Sequence, residues 1–116
     1  MITAVLRYFG ELLEDRGYRV RLFNGPDEVL AAFEIEKNDV DLLITDQTMP
    51  GLSGVALALH LHSLRPNLPI ILCTGYSEGI DRSAVLRHGI RRCFIKPVPT
   101  HDLLKALAEE LAQKKL

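Results

Sequence analysis

Three successive apolar runs of this chain each end on a polar residue. VDLLIT (40–45) delivers Asp46, PIILCT (69–74) closes on Thr74, and RCFIK (92–96) closes on Lys96. A carboxylate can act as a nucleophile toward phosphorus and form an acyl phosphate. Phosphoryl transfer is catalysed mostly by positioning and charge neutralisation, and an ammonium and a hydroxyl suit phosphoryl oxygens. Singly, each residue has an ordinary role: an N-cap aspartate, a turn threonine, a solvated lysine. Three in a row at strand ends, each of a type useful to phosphate, form a candidate site.

The elements that must position these residues can be read from apolar spacing. The three runs are short and nearly continuous, as in strands buried on both faces of a parallel sheet. YRVRLF (18–23) alternates apolar and basic, which predicts a strand with one wet face. Between the strands lie helical patterns. One follows Asn24, a candidate N-cap, with Asp27 and Glu28 in its first turn. Val55–Leu64 is apolar nearly all round and is ended by Pro66, and a shorter helix runs from Asp81 to His88 before Gly89. Leu103, Leu104, Leu107 and Leu111 stripe the last helix, with Lys114 and Lys115 at its carboxyl end. At the start, Ile2, Val5, Leu6, Phe9, Leu12 and Leu13 are spaced as one helical stripe, so a helix is expected over 2–16 with Gly17 as its stop. A helix followed by four strand–helix repeats predicts a doubly wound α/β sheet. In such sheets, ligands bind at the carboxyl ends of the strands.

Composition sets the outer bounds. The chain has 116 residues, 47% hydrophobic and 25% charged, which fits one soluble globular domain over 1–116. A net charge of −1 gives no electrostatic reason to expect nucleic acid. No apolar stretch reaches the ~18 residues of a membrane span, and the N-terminus lacks a signal-peptide pattern. Cys73 and Cys93 sit in strand-like runs and read as reduced, buried thiols in a cytoplasmic protein. His60, His62, His88 and His101 lack metal-ligand spacing and read as surface or half-buried residues.

LLITDQTMPGLSG, PIILCTGYSEG and CFIKPV together resemble the receiver domain of two-component response regulators. The order of the motifs fits, as do the separations of 28 residues from Asp46 to Thr74 and 22 from Thr74 to Lys96. The wording is most like the C-terminal receivers of hybrid sensor histidine kinases. The resemblance implies a flavodoxin-like receiver fold and a place in a phosphorelay. Asp46 would accept a phosphoryl group from a histidine kinase or phosphotransfer protein, with catalysis limited to its own phosphorylation and dephosphorylation. Thr74 would hydrogen-bond the phosphoryl group, and Lys96, joined to Pro97 by a cis peptide, would pair with it. The Thr48 carbonyl would be one ligand of Mg²⁺. Gly51 and Gly54 would allow the turn after Asp46, and Gly75 would keep the site open. Thr48 and Tyr76 would flank the path of attacking water, the Tyr76 ring shielding the acyl phosphate and slowing its hydrolysis.

The chain departs from the family pattern twice. The family begins with a strand ending in an acidic pair that holds most of the Mg²⁺; here the N-terminus aligns with the helix after that pair. Glu14 and Asp15 lie at the far end of that helix. Four strands and five helices are therefore expected, with the first strand absent, and metal binding by the lone Asp46 is expected to be weak. A truncated sequence, or a start assigned too late at an internal methionine, accounts for this more simply than a new fold. The empty central slot would expose strand edges, and unsatisfied backbone groups at roughly 1–3 kcal/mol each would rival a whole stability of ~5–15 kcal/mol. Either strand 18–23 pairs directly with strand 40–45, or a homodimer exchanges elements to cover the edges. The second departure is Cys93, where the family carries Tyr or Phe; coupling from the site to the last strand would be altered.

Two function classes follow. One is a phosphoacceptor switch. The other is an interaction module of receiver shape that works without phosphate. A nucleotide-binding Rossmann unit would need a Gly-rich turn after a strand, and TGYSEG lacks that spacing.

Overall fold

The computed structural model describes residues 2–5, 10–36, 39–75, 79 and 81–114. Five strands and five helices alternate among the described residues: β1 (Ile2–Val5), α1 (Gly10–Asp15), β2 (Val20–Leu22), α2 (Pro26–Glu36), β3 (Leu42–Asp46), α3 (Gly54–Leu64), β4 (Ile70–Thr74), α4 (Arg82–Arg87), β5 (Arg92–Ile95) and α5 (Thr100–Lys114). The strands form one parallel sheet in the order β2-β1-β3-β4-β5.

Helices cover both faces. On one, Leu13 of α1 and Leu103, Ala106 and Leu107 of α5 pack against Ile2, Ala4, Leu42, Ile44, Ile71 and Cys73. On the other, Val29 and Phe33 of α2, Leu57, Ala58 and Leu61 of α3, and Val85 of α4 pack against Leu43, Ile70, Leu72 and Cys93. Burial on both faces explains why β3 and β4 read as continuous apolar runs rather than alternating ones.

Local signals set the helix ends. Ser53 caps α3 by accepting from the Ala56 N–H at 3.2 Å. Asp81 caps α4 by accepting from the N–H groups of Ser83 and Ala84. The second helix begins at Pro26 rather than directly after Asn24, since proline suits a first helical position. Glu28 reaches back and accepts from the Asn24 N–H at 3.3 Å. Buried Glu110 of α5 ties that helix to β5 by accepting from the Arg92 guanidinium at 3.2 and 3.3 Å.

The start of the chain corrects the expectation of four strands. Residues 2–5 are a strand, and the described part of the expected helix is α1, Gly10–Asp15. The central slot is filled by β1, which pairs with β2 through Ile2↔Val20 to Ala4↔Leu22 and with β3 through Ile2↔Leu42 to Val5↔Thr45. The expected direct pairing of strand 18–23 with strand 40–45 is thereby replaced, and the edges that argued for an exchanging dimer are covered within the chain. The physical reason is the slot itself: paired backbone groups in the sheet centre outweigh a local helical stripe. Ile2, Thr3 and Val5 are β-branched and suit a strand. Thr3 and Ala4 alternate across it, and both are buried.

Candidate phosphoacceptor site

The strand order reverses between β1 and β3, and Asp46 stands at the carboxyl end of β3 beside that crevice, where open α/β sheets bind ligands. Parallel register brings its neighbours into place. Asp46 is opposite Cys73, so Thr74 lies one residue further along β4; Thr74 is opposite Ile95, so Lys96 follows at the end of β5. The Gln47 N–H donates to the Cys73 carbonyl at 2.9 Å, and the Lys96 N–H donates to the Thr74 carbonyl at 2.7 Å.

These ladders place Lys96 Nζ 3.0 Å from Asp46 Oδ1. The side chains are 34% and 18% exposed, so both charges can be reached from solvent. Thr74 is buried at 2% exposure, and its hydroxyl donates to the Gly75 carbonyl over a long 3.4 Å. The Lys96–Pro97 peptide is cis. Gly51 adopts φ +93°, which only glycine takes readily, and so turns the loop after Asp46. Gly54 is needed for space: a Cβ there would stand 2.4 Å from the Asp46 carbonyl oxygen. Thr48 is exposed, Gly75 is half-buried, and Tyr76 lies outside the described residues.

Several neighbours of the site carry no periodic signal and escaped the sequence reading. Thr45 Oγ1 donates to the Asp46 carbonyl at 2.9 Å. Gln47 Oε1 accepts from the Val55 N–H at 2.9 Å. The signal that could have found Gln47 is an amide residue at the close of a strand whose following loop ends on a Ser-Gly helix start. Cys93 is buried on the face that holds Val85, and the Arg82 guanidinium donates to its carbonyl at 2.9 Å. The one aromatic of β5, Phe94, packs against the opposite layer.

Magnesium prefers octahedral oxygen ligands, with one or two carboxylates beside substrate oxygens and water. Among the described residues no group of three or more His, Cys, Asp or Glu is placed to hold a metal. Neither β1 nor the four residues after it in sequence contain an acid, and the carboxylate of Asp46 already faces an ammonium. This donor set does not fit a Mg²⁺ ion.

Cys73 lies directly beneath the site and is fully buried. Burial first, and the Asp46 charge second, push its thiol from an ordinary 9.0 up to about 12. The nucleophilic form is the thiolate, so native Cys73 is expected to resist iodoacetamide at pH 8 and to react at once in urea, as read by intact mass. Above pH 9 the unfolded thiol ionises while the folded one does not, so this group lowers stability as pH rises toward 12. Rapid native labelling of Cys73 would refute its burial. A surface depression of about 580 Å³, lined by Pro66, Pro69, Arg91 and Glu110 among others, lies at the amino ends of β4 and β5, away from this site.

A parallel 2-1-3-4-5 sheet with an acid, a hydroxyl and an amine at three carboxyl ends is a flavodoxin-like receiver fold. The chain belongs to the response regulator receiver domain family, whose model matches residues 3–108. It is 34% identical over 112 residues to the phosphoglycerate transport system transcriptional regulatory protein PgtA of Salmonella typhimurium, covering 96% of this chain and 26% of that protein. It is 29% identical over 108 residues to the sensor histidine kinase RcsC of Salmonella typhimurium, covering 93% of this chain and 11% of the relative. The chain thus spans about a quarter of the first relative and about a tenth of the second. The crystal structure of a response regulator receiver domain protein from Clostridium thermocellum superposes with a TM-score of 0.91 at 28% identity, covering 98% of this chain and 95% of the other.

Proposed function

We propose that Asp46 is the phosphoacceptor of a cytoplasmic two-component phosphorelay, taking a phosphoryl group from a histidine kinase or phosphotransfer protein. The single observation that carries this is the 3.0 Å pairing of Lys96 Nζ with Asp46 Oδ1 at the carboxyl edge of the sheet. In the step proposed, a carboxylate oxygen of Asp46 attacks phosphorus as the bond from phosphorus to the donor's imidazole nitrogen breaks. The ammonium of Lys96 turns from the carboxylate toward the phosphoryl oxygens and neutralises the charge that builds there. The Thr74 hydroxyl, at the carboxyl end of β4, supplies a further donor.

A phosphate-independent interaction module is the second reading. It is favoured by the lack of an acid in β1. Incubation with phosphoramidate, with and without Mg²⁺, separates the two by intact mass. The first reading expects one added phosphoryl group, lost on Asp46→Asn, with Mg²⁺ giving less acceleration than in a receiver that carries the acidic pair. No mass gain under either condition would leave the interaction module.

A further inference from the structure

Gln47 makes three hydrogen bonds that close the loop around the site. Its N–H continues the ladder to Cys73, its carbonyl accepts from the Gly54 N–H at 2.9 Å, and its side-chain Oε1 accepts from the Val55 N–H at 2.9 Å. Gly54 and Val55 open α3, whose next N–H, that of Ala56, goes to Ser53 Oγ. One residue therefore holds two consecutive first-turn donors of the helix while its own peptide follows directly on Asp46. The six residues between, including Thr48, hang from this staple. Gly54 also presses its backbone against the Asp46 carbonyl, so any shift of the α3 start reaches the phosphoacceptor.

We infer that Gln47 is a positioning residue: its amide oxygen fixes the start of α3 to the end of β3 and thereby holds Asp46 against Lys96. The inference rests on the reading of Asp46 as phosphoacceptor. An ordinary helix cap would affect stability alone. A positioning group acts on the Asp46–Lys96 pair beyond any loss of stability, and Ser53 provides the comparison, since its hydroxyl caps the same helix through the Ala56 N–H.

Three variants test this. Gln47→Leu keeps the volume and removes the acceptor; Gln47→Glu keeps an acceptor; Ser53→Ala removes the other cap. Gln47→Asn, one methylene too short for Val55, replaces the leucine variant if that one does not fold. Phosphorylation by phosphoramidate should slow about tenfold in Gln47→Leu, the factor carried by one hydrogen bond. It should stay within about threefold of wild type in Gln47→Glu and Ser53→Ala at matched folded fraction. Lys96 acylation by acetic anhydride, measured against exposed Lys105, needs no phosphoryl transfer. It should rise about threefold in Gln47→Leu and not in Ser53→Ala. Wild type that takes no phosphoryl group but shows this Lys96 pattern would sink the phosphoacceptor reading and keep the positioning role. Equal behaviour of Gln47→Leu and Ser53→Ala in both assays would reduce Gln47 to a cap and overturn the inference.

Discussion

Gly54→Ala is expected to remove about 2–4 kcal/mol of folding stability, against a propensity gain of about 1 kcal/mol for alanine in a helix. The added Cβ would stand 2.4 Å from the Asp46 carbonyl oxygen, 2.6 Å from Leu72 Cδ1 and 3.1 Å from the Asp46 carbonyl carbon. Leu72 is fully buried, and the carbonyl belongs to the last residue of β3, so neither can yield without moving the core or the phosphoacceptor. Gly25→Ala is the matched control: nothing lies within 4 Å of its Cβ position, and a change within about 0.5 kcal/mol is expected. Urea midpoints for both variants provide the measurement. A wild-type midpoint for Gly54→Ala would show that α3 does not press on β3 as described.

The strands carrying the site were legible because β3 and β4 are buried on both faces and β5, at the sheet edge, keeps a short apolar run before Lys96. A continuous apolar run leaves little doubt about where β3, β4 and β5 end, and the polar residue that closes each run stands at the carboxyl edge of the sheet, Asp46 and Lys96 partly exposed and Thr74 buried. Asp46 and Lys96 could thus be placed before any geometry was known, and the parallel register brought them to 3.0 Å. Gln47 and Thr45 were not legible, because what they do depends on backbone groups that the sequence does not order. The one signal in LITDQTMPGLSG, an amide at the strand end and a Ser-Gly helix start, does not say that the loop folds back to bring the two together. The N-terminus failed for a different reason. Its apolar residues follow a helical period that continues into α1, and a local pattern cannot register a vacancy in the middle of a sheet. The vacancy decided the matter: Ile2–Val5 took the strand position, and Gly10–Asp15 remained helix.

That outcome makes Ala4 a sharp probe. In the sheet, Ala4 is fully buried in the central strand, among the residues facing α1 and α5, and its carbonyl accepts from the Phe23 N–H at 2.9 Å. On the helix that the spacing of Ile2, Val5, Leu6, Phe9, Leu12 and Leu13 would make, residue 4 falls well off the stripe, on the side shared by Glu11 and Asp15. The two arrangements therefore assign opposite environments to one side chain. Ala4→Asp in the strand would bury an unpaired carboxylate against Leu13 and Leu107, at a cost of about 3–5 kcal/mol or more. Against a total stability of about 5–15 kcal/mol, that loss is a large fraction of the whole. On a surface helix the same change stays within about 0.5 kcal/mol. Far-ultraviolet circular dichroism and a urea curve, run beside wild type, read the difference, and Thr3→Val supplies a benign companion because it keeps a β-branched shape at a buried position. A folded Ala4→Asp protein of near wild-type stability would mean that residues 2–5 are not the central strand, and the register of β1 against β2 and β3 would fall with them.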